Sequence, residues 1–274
     1  MSNPQAGVSL SRCAHLQIYS ESEEKTMQSA VIIPARANST RFKNKPLADL
    51  CGKPMIWWVY HRAIKAKHPT YVYVATDSQE IAEVCHAFSI PTILTSPDLQ
   101  TSTERIYEAS KSVPADFYVC VNGDEPLIAP DLIDRIIPDS PPDTFFVSNL
   151  MTAVYSPAEV VDESNIKVVV DTNQNALLFS RSPIPHPKAS LSFSYYKHLG
   201  ILGYTKEALR FFAQTKRGPL EAIEDINELR FLEHGKPVHM IAVEAGTLSV
   251  DTPKDLDYVR EVLRDALQKG EVIV

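Results

Sequence analysis

Residues 30–53 read AVIIPARANSTRFKNKPLADLCGK, and the fold turns on how this stretch divides. Ala30–Pro34 is apolar at every position, the pattern of a strand buried on both faces in a parallel sheet. A polar loop follows over 35–52. Pro54 then opens a helical stretch to about Lys67, proline being suited to a first helical turn. The same unit recurs downstream. Tyr71–Ala75 (YVYVA) is a second strand, and Asp77 or Ser78 caps a helix to about Phe88. Pro91–Leu94 is a short third strand, Thr101–Lys111 a third helix, and Phe117–Val121 (FYVCV) a fourth strand ending in Asn-Gly-Asp-Glu-Pro. Strands alternating with helices of this length predict right-handed βαβ crossovers and a mainly parallel α/β sheet.

The second half changes character. Ile166–Val170 and Ala176–Phe179 flank Asp171–Asn175 and read as a hairpin. Residues 181–194, rich in Pro and Ser, are a loop. Tyr195–Tyr204 is a further strand, followed by helices at about 206–214 and 219–234, a strand at Val238–Val243 and a closing helix at Pro253–Gln268. One α/β domain over 27–274, with an antiparallel insertion at about 155–205, accounts for this order. Residues 1–26 carry no signal-like apolar run, and Met27 stands directly before the first strand, so they read as a dispensable extension on a cytoplasmic protein.

Composition narrows the function. Of 274 residues, 44% are hydrophobic, enough for a core without metal or disulfide staples. The net charge of −7 argues against a general nucleic-acid binder. No apolar run reaches the ~18 residues of a membrane span. Cys13, Cys51, Cys85 and Cys120 lie far apart and read as reduced thiols.

Against that acidic background the first loop stands out. It places Arg36, Arg41, Lys43, Lys45 and Lys53 against Asp49 alone. Ala35, Ser39 and Thr40 are small or hydroxylic, so backbone N–H groups can approach an anion. Ligands of open α/β sheets bind outside the carboxyl ends of the strands, which is where this loop must lie. The expectation is a triphosphate-holding loop that is neither a P-loop nor a G-x-G-x-x-G turn. Asp124 ends the fourth strand and Asp251 follows the last one. Both carboxylates are suited to a hard cation such as Mg²⁺, although Asp251 reads equally well as a cap of the final helix.

The motifs carry a resemblance. VIIPARANSTRFKNKPL at 31–47, CGKPM at 51–55, VATD at 74–77, STER at 102–105 and NGDEP at 122–126 resemble the sugar-acid cytidylyltransferases, in particular those acting on 3-deoxy-manno-octulosonate (Kdo). The likeness continues through NIKVVVD at 165–171, FSRSPIP at 179–185, KHLGILGY at 197–204, GPLEAIE at 218–224 and VDTPKDL at 250–256, in order over nearly all of 27–265. It implies a Rossmann-like nucleotidyltransferase sheet whose antiparallel insertion makes a homodimer, with CTP and a 2-keto-3-deoxy sugar acid as substrates and Mg²⁺ as cofactor. No nucleic-acid or membrane partner is implied.

Carried over by position, Arg36, Arg41, Lys45 and Asp124 are catalytic. Ala35, Arg36, Ser39, Lys45, Ala75, Thr76, Asp77, Thr103 and Arg105 bind nucleotide. Asn122, Arg181, His198, Glu221 and Glu228 face the sugar, and Asp124 and Asp251 hold magnesium. The sugar end departs from the family pattern. Asn122 stands for a glutamine, Leu202 for a tyrosine, and Asn227-Glu228-Leu229-Arg230 for Glu-Gln-Leu-Arg. Near the base, Thr101-Ser102-Thr103 replaces Ser-Gly-Thr. These changes leave Kdo and an amino-substituted or nine-carbon ulosonic acid open as substrates. A non-catalytic relative binding CTP or sugar is the remaining alternative.

Overall fold

The computed structural model describes residues 27–37, 42, 44–190, 192–244 and 247–270. The 1–26 extension and the predicted site residues Ser39 and Arg41 lie outside these.

The first half is the expected series. Strand β1 (Ser29–Ala35) leads to a 3₁₀ turn (Lys45–Leu47), a small β2–β3 hairpin (Asp49–Leu50 and Lys53–Pro54) and helix α1 (Met55–Ala63). Then come β4 (Tyr71–Thr76), α2 (Gln79–Ala87), β5 (Thr92–Leu94), α3 (Ser102–Ala109) and β6 (Phe117–Val121). Ser78 caps α2. Thr101 caps α3 in a box with Glu104, which stabilises the helix start by about 1 kcal/mol. Helix α1 stops at Ala63, short of the expected Lys67.

The short β2–β3 hairpin lies where only a loop was expected, and three further elements escaped the sequence reading: α4 (Pro130–Ile136), β7 (Val147–Val154) and α5 (Pro157–Val161). Strands β8 (Lys167–Val170) and β9 (Ala176–Ser180) form the expected hairpin, whose turn is held by the Asp171 carboxylate accepting from the Asn173 and Asn175 N–H groups. Strand β10 (Tyr195–Thr205) and helix α6 (Lys206–Gln214) follow. The helix expected at 219–234 is two pieces, α7 (Pro219–Glu224) and α8 (Leu229–Glu233). Asp225, left-handed at φ 53°, ends the first, because an i→i−4 ladder cannot continue through that conformation. Strand β11 (His239–Val243) and helix α9 (Pro253–Gln268) complete the chain.

Among the described residues the sheet order is β11–β7–β10–β6–β1–β4–β5, with β8 paired to β10 and β9 to β8. β6, β1, β4 and β5 are mutually parallel. β10 runs antiparallel between β6 and β7, making the sheet mixed. Ala30, Val31, Ile32 and Ile33 of β1 are fully buried, their side chains alternating between two cores. One face packs α3, α6 and α8; the other packs α1, α2 and α4. Leu256, Val259 and Leu263 of α9 close a third cluster on Leu50, Met55 and Trp58. Each such side chain is worth ~1.5–3 kcal/mol on burial.

A buried charge cluster ties the helices of the first face. Both Glu221 oxygens accept from Arg230, at 2.6 and 2.7 Å, and the guanidinium stacks 3.8 Å over Phe212. Arg230 also reaches Glu104 of the α3 capping box at 3.4 Å. Glu221 is wholly buried, so Arg230→Met leaves its charge only the half-exposed Arg217 at 3.6 Å and should cost ~3 kcal/mol in urea unfolding. Glu221→Leu combined with Arg230→Met should recover most of that loss. An Arg230→Met protein as stable as wild type would contradict the buried pair.

Candidate active site

The carboxyl ends of β1, β4 and β6 open on one side of the sheet, and the predicted residues gather there in three groups. In the first, the 3₁₀ turn after β1 presents Lys45. Its Nζ donates to Asp124 Oδ2 at 2.6 Å and to the Val250 carbonyl at 2.8 Å, and lies 3.6 Å from Asp251 Oδ1. Two carboxylates thus converge on one ammonium. The Val250 N–H donates to the Asp124 carbonyl at 2.9 Å, joining the loop before α9 to the loop after β6. That second loop sits tightly on β1: a Cβ at Gly123 would lie 2.8 Å from the Pro34 carbonyl oxygen. Asp251 is not the helix cap. Thr252 caps α9 in a box with Asp255, leaving the Asp251 carboxylate directed to Lys45.

No cluster of three or more His, Cys, Asp or Glu side chains suited to a metal exists among the described residues. The Asp124–Asp251 pair nevertheless fits magnesium, which is commonly bound by one or two carboxylates and completed by substrate phosphates and water.

The second group lines the β4 side. Arg36 is exposed beside an open cleft of about 380 Å³, shared with Ala37, Asp77, Ser78, Pro97, Leu99 and Gln100. Ala35, Ala75 and Thr76 are buried at the strand ends. Arg105 is buried too. Its guanidinium pairs with Asp77 at 2.8 Å and bonds Thr95, so it braces the cleft wall from behind. Thr103 is buried with its hydroxyl 3.4 Å from the Tyr204 hydroxyl. Pro97, Leu99 and Gln100 were not singled out from the sequence, because a Ser-Pro-Asp-Leu-Gln loop carries no chemical signature of its own.

The third group borders β6 and β10. Asn122 ends β6, accepting weakly from the Cys120 thiol at 3.6 Å. Glu228, at the start of α8, is buried rather than turned to solvent. Burial, and then the charge of Glu221, push its carboxyl up to about 7. Cys120 lies between the charges of Glu228 and Asp124, and its thiol is pushed up by burial and by both. His198 is half-buried with its Nδ1 enclosed; burial, then Arg181 and Lys197, push it down to about 4 and keep it neutral.

Two predicted sugar residues are committed elsewhere. Arg181 donates to the carbonyls of Glu224, Asp225 and Glu163, and Glu221 belongs to Arg230. The sequence reading missed Glu125, which is buried beside Asp124 and pushed up to about 8 by burial and by that charge. A second carboxylate following Asp124 was the available signal.

Comparisons with known proteins agree in one direction. A family model described as Cytidylyltransferase matches residues 30–238. The 3-deoxy-manno-octulosonate cytidylyltransferase of Chlorobium limicola is 38% identical over 244 residues, spanning 87% of this chain and 98% of its own. An 8-amino-3,8-dideoxy-manno-octulosonate cytidylyltransferase of a Shewanella species is 39% identical over 235 residues, spanning 84% and 96%. A solved structure of CMP:2-keto-3-deoxy-manno-octonic acid synthetase complexed with CTP superposes with a TM-score of 0.81 at 37% identity, covering 87% of this chain and 99% of that one.

The raised Glu228 value has a consequence for stability. The folded chain holds the proton up to about pH 7 while the unfolded chain releases it near 4.5, so folding loses stability as pH rises through that window. The loss should approach ~3 kcal/mol by about pH 8, and Glu228→Gln should abolish it. Glu125, raised to about 8, acts in the same sense and His198 in the opposite sense at lower pH, but both are common to the two proteins and cancel in the difference. A difference in urea-derived stability between wild type and Glu228→Gln that stays flat from about pH 5 to 8 would show that the carboxyl is not buried as described.

Proposed function

The chain belongs to the cytidylyltransferase family, and from that premise we propose that it transfers CMP from CTP to a 2-keto-3-deoxy sugar acid of the Kdo type. The anomeric hydroxyl forms a bond to the α-phosphorus, the bond to the β-phosphate oxygen breaks, and pyrophosphate leaves with its electron pair. The observation that carries this reading is the convergence of Lys45, Asp124 and Asp251 at the carboxyl ends of the parallel strands. Arg36, at the mouth of the cleft, and Lys45 supply positive charge for the triphosphate. Ala75, Thr76 and Asp77 border the base, with Thr103 and Arg105 holding that wall in place.

Asp124 and Asp251 would hold Mg²⁺, whose contribution when bound is to neutralise phosphate charge and favour ionisation of the attacking hydroxyl. The remaining work is positioning, which alone can supply several kcal/mol of barrier reduction. Asn122, His198 and Glu228 face the sugar acid. Such an enzyme works in the cytoplasm, where CTP is made. Tyr155 after β7, Val161 of α5 and Leu177 of β9 are exposed apolar side chains of the 155–205 segment, and a homodimer formed on that segment covers apolar surface that would otherwise invite aggregation.

One observation favours a narrower substrate. A buried carboxyl at Glu228 has no neutral counterpart in strength: a charge-assisted bond to an ammonium is roughly twice as strong as a neutral one. Relatives acting on an 8-amino sugar stand beside those acting on Kdo at the same level of identity. An amino-bearing ulosonic acid is therefore the second reading.

Incubation with CTP, Mg²⁺ and a panel of ulosonic acids, scored by pyrophosphate release, tests the activity. Asp124→Asn should lower turnover at least ~10²-fold, as expected for loss of a transition-state charge stabiliser. Wild-type-like turnover in that variant would remove Asp124 from the chemistry. For the sugar, the measurement is the ratio of kcat/KM for the amino acid-sugar and Kdo. A ratio above one that drops at least ~10-fold in Glu228→Gln supports the amino substrate. A preference for Kdo, unmoved by that substitution, leaves Kdo.

A further inference from the structure

Strand β10 does not run straight through the sheet. His198 lies opposite Met151 of β7, yet the next paired residue, Leu202, lies opposite Asn149, so residues 199–201 bulge. Asn149, buried on β7, fills the gap. Its Nδ2 donates to the carbonyls of Leu199 at 2.8 Å and Ile201 at 2.9 Å. A side-chain amide suits this place because one NH₂ carries two donors; aspartate has none and serine one.

Those two carbonyls flank Gly200, where β10 meets the loop after β6. The Gly200 carbonyl accepts the Asn122 N–H at 3.3 Å. A Cβ on Gly200 would lie 2.5 Å from Asn122 Nδ2 and 3.3 Å from Glu125 Oε1. The bulge therefore brings bare backbone against the two side chains that flank Asp124. Among the described residues, the buried side-chain atoms without a hydrogen-bond partner are Glu125 Oε2, Ser148 Oγ, Asn149 Oδ1 and His198 Nδ1. Every one belongs to a residue on this bulge or beside it. Buried polar atoms are nearly always paired, and bulges are enriched next to active sites, so this concentration marks a functional region of the sheet.

We infer that Asn149 is a positioning residue: by pinning the β10 bulge it holds Gly200 against Asn122 and Glu125, and so sets the loop that presents Asp124 and the sugar-facing Asn122. The inference rests on the activity proposed above and concerns placement of the sugar acid, with the cleft at β4 and its CTP left unaffected.

Two variants test it. Asn149→Ala removes the pin. Gly200→Ala presses on Asn122 from the other side and meets the far end of a side chain, so it keeps the fold even where Asn149→Ala does not. Amide exchange, read without substrates, should speed up at Asn122 at least ~10-fold relative to Ile32 in central β1 when Asn149 is replaced. In both variants KM for the sugar acid should rise at least ~10-fold while the Kd of CTP measured without Mg²⁺, which leaves Asp124 out, stays within about two-fold.

Unchanged exchange at Asn122, or equal losses toward sugar and CTP, would overturn the assignment. The exchange measurement decides the link even if wild type turns over no ulosonic acid, a result that would instead overturn the proposed activity.

Discussion

One ammonium group gathers the chemistry of this protein. Lys45 lies just after the first strand, Asp124 after the fourth parallel one, and Asp251 near the end of the chain, and all three meet within 4 Å. Like charges so close need a counter-ion, and the lysine supplies one in a partly buried setting where the attraction is stronger than in water. The requirement reaches back into the fold. The loop of Asp124 must press on β1, which Gly123 permits, and the loop of Asp251 must reach it, which the Val250–Asp124 backbone bond and the capped start of α9 ensure.

Charge pairs elsewhere act as braces. Arg105 ties Asp77 to Thr95 beneath the cleft, and Arg230 ties α7 and α8 to the capped end of α3. Both guanidiniums are buried, and both belong to networks that span elements on different sides of the site. A buried ion pair is a poor source of net stability, but it tolerates only one geometry. Through Glu104 and Arg105, neighbours on α3, the two networks join the wall of the cleft to the helix that begins at Glu228. The β4 cleft and the α7–α8 end of the site are thereby joined through one helix.

Much of this was readable along the chain. The AVIIP run announced a strand buried on both faces, and β1 is that strand. The basic loop, the aspartates at strand ends and the order of the motifs indicated a nucleotidyltransferase, and the family match agrees. Other features left no local trace. β7, Val-Ser-Asn-Leu-Met-Thr-Ala-Val, mixes polar and apolar residues without clear alternation, because it is an inner strand whose Asn149 serves a neighbour's bulge. The 219–234 segment keeps helical periodicity across Asp225, where the backbone in fact reverses hand.

The sequence by itself determined the alternating strands and helices of the first half and the chemical groups that end its strands, since strand periodicity, helix caps and a local excess of positive charge are properties of neighbours. Only the tertiary structure decided how each polar side chain is partnered. Glu221 and Glu228 are seven residues apart and both buried, yet Arg230 claims the first and leaves the second with a raised affinity for its proton. Asn149 carries no motif of its own, and only the register break in β10 places it beside Gly200 and the Asp124 loop. The physical reason is that pairing and desolvation depend on distances across the fold, between residues that separation along the chain does not relate.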